Sequence, residues 1–284
     1  MKKSILIVDS GATSTKCVVS DDSVFQMNVF SGINPNIHSD KHINDTIASI
    51  FNFFSEKSKI SQIQYYGAGC GSETNISRVF TILKNYFFDS EIHIYSDLMA
   101  SAHALTKGNT GIVAILGTGS NAAFFDGTNL IKMTPSLGYL LGDEGSATDI
   151  GKTFLRNLLY REVPDDLAEE FLNHSTIARE MLINYIYSLP QPNKFFADTG
   201  AFITSKNQHY FAENLIFKCF SEFIKQLLLP LSVKYEITEM NFTGSMAFLN
   251  RHILRRALHL FNLSLKDVLQ NPLEGLWQFY QAEK

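Results

Sequence analysis

The chain has 284 residues, the size of one large domain or two modest ones. Apolar residues make up 45% of it and charged residues 18%, enough for a buried core and too apolar for a disordered chain. Its 24 basic and 28 acidic side chains leave a net charge of −4, which argues against a broad nucleic-acid-binding surface. No run approaches the ~18 consecutive apolar residues of a membrane span. Met1-Lys2-Lys3-Ser4 leads into an apolar run, but Asp9 ends it before the ~7–15-residue core of a secretory signal can form. The expectation is a cytoplasmic protein with no membrane attachment and no nucleic-acid partner. Cys17, Cys70 and Cys219 are scattered, odd in number and without a CxxC pair. That is the pattern of reduced thiols, not of a zinc or iron–sulfur site.

In chain order, the first thirty residues read as three short strands, at 4–8, 15–20 and 24–30. Ser10-Gly11-Ala12 and Asp21-Asp22 are the turns between them. Apolar Ile43, Ile47, Ile50 and Phe54 recur at helical spacing and predict a helix over 41–57. A strand at 63–66, a helix at 76–87, a strand at 91–95 and a helix at 98–105 follow. Three more short strands then appear, at 111–116, 121–125 and 130–132, with turns at Gly117-Thr118-Gly119 and Asp126-Gly127. Helices are predicted over 146–160, 165–188, 208–230, 245–261 and 272–281, with one late strand at 239–242. A strand meander with a glycine-bearing first turn thus occurs twice, about 108 residues apart by position in the sequence. The order predicts two related α/β lobes with a cleft between them, one over 1–107 and one over 108–269.

Five stretches carry candidate chemistry. In Asp9-Ser10-Gly11-Ala12-Thr13-Ser14-Thr15-Lys16 an acidic residue ends a strand and a tight turn exposes backbone N–H groups. Such a turn can bind phosphate oxygens, and the carboxylate can hold Mg²⁺, directly or through water. Leu116-Gly117-Thr118-Gly119-Ser120-Asn121 is a second glycine- and hydroxyl-rich turn leaving an apolar strand. Alone, each reads as an ordinary hairpin turn; two at equivalent places in two lobes point to one nucleotide. Asp97, in Tyr95-Ser96-Asp97-Leu98, follows a strand and opens a helix. It reads as an N-cap, or as the acceptor of a proton from an attacking hydroxyl in phosphoryl transfer. Small Ala100 and Ala102 suit a close backbone approach there.

Fourth, Gly138-Tyr139-Leu140-Leu141-Gly142-Asp143-Glu144-Gly145-Ser146 brackets two carboxylates with glycines before a helix. Ser146 with Asp149 forms a capping-box pattern, and the two carboxylates can bind vicinal sugar hydroxyls. Fifth, Phe242-Thr243-Gly244-Ser245 is a strand, a glycine and a helix start, a plain turn or a seat for a ribose or base. Gly151-Lys152-Thr153 imitates the end of a Walker A loop, but the upstream glycine position holds Ser146 and the stretch reads as helical. Gly67-Ala68-Gly69-Cys70-Gly71 imitates a dinucleotide fingerprint, but Ser72 holds its third glycine position. The basic cluster Arg251, His252, Arg255, Arg256 and His259 reads as a solvated helix face.

These turns in this order resemble the BadF/BadG/BcrA/BcrD-type ATPases, and within them the N-acetylglucosamine kinase-like proteins of the acetate/sugar kinase, chaperone and actin superfamily. The likeness spans essentially the whole chain. Its most specific piece is Leu116–Asn121 followed by Leu141–Ser146, close to that family's GTGSN and GDEGS pair. The resemblance implies a two-lobed actin-like ATPase fold, a duplicated ribonuclease H-like motif with a nucleotide cleft between lobes. It implies that a closing helix, over 270–284, packs back on the first lobe. It implies ATP and Mg²⁺ as cofactors, a small amino sugar as substrate and a homodimer as the assembly.

Carried over by residue, it implies that Asp9, Gly11, Thr13 and Lys16 form the first phosphate loop, with Asp9 holding Mg²⁺ through water. Gly117, Thr118 and Gly119 would form the second phosphate loop. Gly244 and Ser245 would be the adenosine loop, with Ser205 near the adenine. Asp97 would be the catalytic base towards the sugar 6-hydroxyl, and Asn34, Ser120, Asn121, Gly138 and Asp143 the sugar contacts. The chain departs from the family where Ser10 and Ala12 replace glycines of the first loop. It also lacks the tryptophan common before GDEGS, where Leu137 and Tyr139 stand instead. The rival activity in the family is an ATPase that activates a redox partner through a clustered-cysteine iron–sulfur centre, which this cysteine spacing does not build within one subunit. A non-catalytic sugar or nucleotide sensor on the same fold is the third reading.

Overall fold

The computed structural model describes residues 4–20, 25–55 and 59–282. The expected Asp21-Asp22 turn, the Val24 start of the third strand and the Lys57 end of the first helix lie outside them. The chain divides into two compact units, Met1–Asn109 with Asn271–Lys284, and Thr110–Gln270.

The first unit opens with β1 (Ser4–Ser10), β2 (Ser14–Val19) and β3 (Asn28–Ser31), an antiparallel meander. Helix α1 (Asp40–Ser55) leads to β4 (Ile60–Gly67), and α2 (Glu73–Tyr86) to β5 (Glu91–Ser96), which is followed by α3 (Asp97–Thr106). The sheet order is β3-β2-β1-β4-β5, with β4 parallel to β1 and β5 parallel to β4. Central β1 is a continuous apolar run because both its faces are covered: Leu6, Ile7 and Val8 are all buried. On one face Ile43, Ile47, Ile50 and Phe54 of α1 join Val79 and Leu83 of α2 in a core with Leu6, Val8 and Ile63. Each such fully buried side chain contributes about 1.5–3 kcal/mol.

The second unit repeats this plan. Its strands β6 (Gly111–Leu116), β7 (Ser120–Phe125) and β8 (Leu130–Ile131) form another antiparallel meander. A short helix α4 (Gly138–Leu141) precedes α5 (Ala147–Leu159), α6 (Asp165–Ser175), α7 (Leu182–Ser188), α8 (Pro192–Ser205), α9 (Tyr210–Phe223) and α10 (Leu229–Tyr235). Strand β9 (Glu239–Thr243) lies parallel to β6. After α11 (Ser245–Leu249) and α12 (Arg251–Leu260), β10 (Ser264–Leu269) lies parallel to β9. Read from β8, the order β8-β7-β6-β9-β10 matches that of the first sheet, strand for strand and direction for direction. The repeat that the two glycine-bearing turns suggested is therefore a duplicated topology.

Helix α13 (Leu273–Ala282) returns to the first unit and packs on α3, β1 and β2. The close backbone approach expected at Ala100 and Ala102 falls on Ala104 instead, where Gly275 of α13 fits because a Cβ there would stand 2.8 Å from that of Ala104. An aromatic network secures the contact. Tyr66 Oη lies 2.7 Å from both His103 Nδ1 and Tyr280 Oη, and the His103 ring stacks on Phe279. Burial pushes the His103 imidazole from its ordinary 6.5 down to about 4. The unfolded chain therefore takes up a proton first, and stability present above pH 6.5 is lost as pH falls towards 4. The loss at pH 5 is about 2 kcal/mol. Thermal melting of wild type at pH 7 and pH 5 should show that drop, and His103→Gln should flatten it; an unchanged pH slope in the variant would contradict the assignment.

Several helix boundaries differ from the expected ones for identifiable reasons. The 165–188 helix is two helices: Thr176 adopts a left-handed backbone that caps α6, and Arg179–Met181 is a 3-10 turn before α7. The 208–230 helix passes through a π-helical turn at Ile224–Leu228, just before Pro230, which has no N–H for the ladder. The 245–261 helix breaks at buried Asn250, whose Nδ2 bonds the Met246 carbonyl at 3.0 Å. Helix α8 and strand β10 are unexpected. Gly151, of the false Walker A stretch, lies mid-helix in α5 and faces α8: a Cβ on it would stand 1.9 Å from the Phe196 carbonyl oxygen. Gly200 of α8 meets the Ala147 carbonyl in the same way, at 2.0 Å. The glycine of that stretch thus serves helix packing, and Ser72 of the false dinucleotide stretch is the N-cap of α2.

Candidate functional site

In the first unit, β1 delivers Asp9 to the edge of the first glycine turn. Asp9 pairs across the β1–β2 ladder with Lys16, and Gly11 N–H closes the turn on the Ser14 carbonyl at 2.9 Å. Asp9 is partly buried. Burial pushes its carboxyl up to about 6; Lys16 opposes the shift and the charge of Asp97 adds to it. Two carboxylates that feel each other in this way favour either a shared proton or a cation. Ser10 ties neighbouring segments together. Its Oγ lies 2.6 Å from Thr15 Oγ1 and accepts the Ile33 N–H at 3.1 Å, and its carbonyl accepts the Ala68 N–H at 2.8 Å. Thr13 is exposed at the turn.

Asp97 is not the N-cap of α3. Ser96 occupies the cap position, with extended backbone, because β5 runs one residue further than expected. Asp97 is the first helical residue, and its Oδ1 accepts the Leu98 N–H at 2.9 Å. Asn34 sits in a turn after β3. Its carbonyl accepts the N–H groups of Ile37 and His38, and its Oδ1 accepts that of Asn36 at 2.9 Å.

In the second unit, three loops meet. The Gly117–Ser120 turn docks on the start of α5: Ala147 N–H bonds the Gly117 carbonyl at 2.9 Å, and Thr148 Oγ1 bonds the Thr118 carbonyl at 2.6 Å. Asp143, in a left-handed backbone conformation, sets its carboxylate against the same turn, with Oδ1 accepting the Ser120 N–H at 3.3 Å. Burial raises its carboxyl above the ordinary carboxylate range, against the pull of the Ser120 N–H and Lys152. Ser120 Oγ is buried and has no hydrogen-bond partner in the protein. Such an orphaned hydroxyl points to a ligand. Asn121 Oδ1 accepts the Ala122 N–H at 3.0 Å, and Gly138, half-buried at the start of α4, has open space where a Cβ would stand. Lys152 donates to the Tyr139 carbonyl and so steadies α4 beside Asp143.

Ser146 is the N-cap of α5, accepting the Asp149 N–H at 3.2 Å. Asp149 reaches back to the Gly145 N–H, one residue beyond the usual capping-box partner. Gly244 stands at φ 112°, and its Cα lies so near the Leu116 carbonyl that a Cβ would be 2.2 Å from that oxygen. The fifth stretch therefore abuts the second. Ser245 is exposed at the start of α11. Ser205 ends α8, its Oγ donating to the Phe202 carbonyl at 2.6 Å, and it lines an open depression of about 590 Å³ with Phe202 and Lys206. The basic cluster of α12 is exposed, and Arg256 pairs with Glu213. Asn75 and Arg78 of α2, which hold the Asn34 turn, have no counterpart among the sequence motifs.

Two sheets of duplicated topology, with glycine turns at the ends of β1 and β6, define the actin-like ATPase fold that sugar kinases share. No family model and no curated sequence matches the chain, but solved structures do. A candidate N-acetylglucosamine kinase of Porphyromonas gingivalis is 31% identical, with 98% of this chain and 99% of that chain covered and a TM-score of 0.89. A second, from Chromobacterium violaceum, is 16% identical over 98% of this chain and 99% of that one, with a TM-score of 0.75. A ROK-family glucokinase of Streptomyces griseus, solved with glucose and AMPPNP, is 14% identical over 97% of each chain, with a TM-score of 0.60. The last two share the fold. The chain belongs to the sugar-kinase family of the Porphyromonas gingivalis protein. Among the described residues, no helix is long and apolar enough to cross a membrane.

Proposed function

We propose that the protein is an ATP-dependent kinase, of the BadF/BadG/BcrA/BcrD type, that phosphorylates the 6-hydroxyl of N-acetylglucosamine or a close amino sugar. The observation that carries this reading is the seat of the Asp143 carboxylate on the Gly119-Ser120 turn, beside the orphaned Ser120 hydroxyl. It joins the two halves of the most specific motif pair at one place. The name of the Porphyromonas gingivalis relative supports the same sugar.

In this reading Asp97 accepts the proton of the 6-hydroxyl as that oxygen bonds to the γ-phosphorus. The bond from the γ-phosphorus to the bridging oxygen breaks, and ADP leaves with the electron pair. The Leu98 N–H bond holds the Asp97 carboxylate in one orientation. The Thr13 N–H and Lys16 take phosphate oxygens on the turn that the Gly11 N–H closes, and the Gly117-Thr118-Gly119 turn, closed by the Gly117 N–H, does so through the N–H groups of Thr118 and Gly119. Gly244 and Ser245 receive the ribose and Ser205 borders the adenine. Asn34, Ser120, Asn121, Gly138 and Asp143 hold sugar hydroxyls.

Magnesium fits this chemistry. Asp9 is a hard oxygen donor whose carboxylate is destabilised by burial and, to a smaller extent, by the charge of Asp97. A cation held by one carboxylate through water and completed by phosphate suits such a site. When bound, Mg²⁺ would neutralise charge on the transferring phosphate. Asp9→Asn should raise the half-saturating Mg²⁺ concentration about tenfold or more, with sugar binding unchanged; an unaltered Mg²⁺ dependence would remove Asp9 from this role. The reaction class is tested by ATP consumption against a panel of amino sugars and neutral hexoses, with a no-sugar control. Consumption dependent on an amino sugar is expected. Equal consumption without sugar would indicate the activating ATPase, and sugar binding without transfer would indicate a sensor.

A further inference from the structure

Helix α2 meets the Asn34 turn with two side chains one helical turn apart. Arg78 engages three of its N–H groups: Nε donates to Asp40 Oδ1 at 2.5 Å, Nη1 to the Pro35 carbonyl at 2.5 Å and Nη2 to the His38 carbonyl at 2.8 Å. Asn75 Nδ2 donates to Asn36 Oδ1 at 2.7 Å and to the Gly69 carbonyl at 2.8 Å. The Asn34 N–H donates to His38 Nδ1 at 3.1 Å. The turn that presents Asn34 is thus fastened at Pro35, Asn36 and His38 from a helix that contributes nothing else to the candidate site.

The energetics separate this arrangement from an ordinary surface ion pair. Asp40 is 76% exposed, and an exposed pair of this kind adds little to stability. The other two Arg78 bonds go to backbone carbonyls of the turn. A planar guanidinium fixes the direction of several bonds at once, which a lysine ammonium does not. We propose that Arg78, assisted by Asn75, is the positioning residue for Asn34, setting where the Asn34 amide meets the sugar and hence sugar affinity. The inference rests on the amino-sugar kinase reading and adds to it a specificity element outside every motif. Displacing a substrate-contacting group by about 1 Å can cost a hundredfold.

The test uses the full chain with Arg78→Met, Arg78→Lys and Asn75→Ala, assayed with N-acetylglucosamine and Mg-ATP. Arg78→Met should raise the sugar KM about 10–100-fold, with kcat and the ATP KM within about threefold of wild type. Arg78→Lys should restore little, because the charge returns without the fork. Hydrogen exchange at the amides of Asn36, Ile37 and His38 should quicken in Arg78→Met. An unchanged sugar KM, or unchanged amide protection, overturns the positioning role. A common fall in kcat, both KM terms and melting temperature also overturns it, since that marks a merely structural residue. Wild-type protein that turns over no amino sugar overturns instead the reading beneath it, whereas wild-type turnover with an unaffected Arg78→Met overturns this inference alone.

Discussion

Asp97→Asn is expected to lower kcat by about 10²–10⁴, the usual worth of a positioned general base. The amide keeps the size of the carboxylate and can still accept the Leu98 N–H bond that Oδ1 now takes at 2.9 Å. Sugar affinity, measured by calorimetry without turnover, should therefore stay within a few-fold of wild type. Burial is the main reason that the Asp9 carboxyl lies near 6, and the substitution removes the smaller contribution of the Asp97 charge, so the Asp9 pKa should fall modestly. Near-normal kcat in Asp97→Asn would remove this residue from the chemistry. A kcat loss matched by lost sugar binding would make it a binding residue instead.

Gly244→Ala should be among the most damaging single-methyl changes in the second unit, because it combines a forbidden backbone conformation with a backbone clash. A backbone at φ 112° and ψ 151° is nearly closed to residues with a Cβ, and holding one there costs about 1–3 kcal/mol. The methyl would also stand 2.2 Å from the Leu116 carbonyl oxygen and 3.1 Å from the Gly117 nitrogen, both backbone atoms. Either the end of β6 or the start of α11 must move, and both adjoin loops assigned to the nucleotide. The melting temperature should drop by about 5–10 °C, and the ATP KM should rise more than the sugar KM. Ser245→Ala, at the exposed neighbouring position, is the control for stability. A Gly244→Ala protein with wild-type melting and ATP KM would contradict the close packing of these loops.

The two meanders were legible because their strands are short apolar runs punctuated by glycine, and because α1 and α2 carry a clear helical period. Helix α8 was not legible: Gly200 in its interior weakens its helical signal, and only its packing against α5 explains the glycine. Strand β10 was missed because Ser264, Lys266 and Asp267 make it look like a loop, as an edge strand paired only with β9 can. The break at Asn250 depends on tertiary partners, Thr204 and Asn207, that lie over 40 positions away. Pro230 ended the predicted 208–230 helix, whereas the chain continues through it as α10, where a proline near the helix start costs no hydrogen bond.

The candidate site divides in the same way. Its backbone turns announce themselves through glycine and hydroxyl residues, and Asp143 through the glycines around it. Asp97 was legible as a residue but displaced by one in its helix. Asn75 and Arg78 were invisible, because on an amphipathic helix they read as ordinary solvated positions, and only the fold of the Asn34 turn gives them partners. The lysine of the false Walker A stretch is the converse case: its motif misleads, yet Lys152 stands beside Asp143.

The most direct measurement is identification of the product formed from N-acetylglucosamine and Mg-ATP, by mass spectrometry and phosphorus NMR, with ADP quantified in the same sample. One N-acetylglucosamine 6-phosphate is expected for each ADP formed, and no ADP without sugar. ADP that accumulates with free phosphate and no phosphosugar, across the whole amino-sugar panel, would overturn the kinase reading.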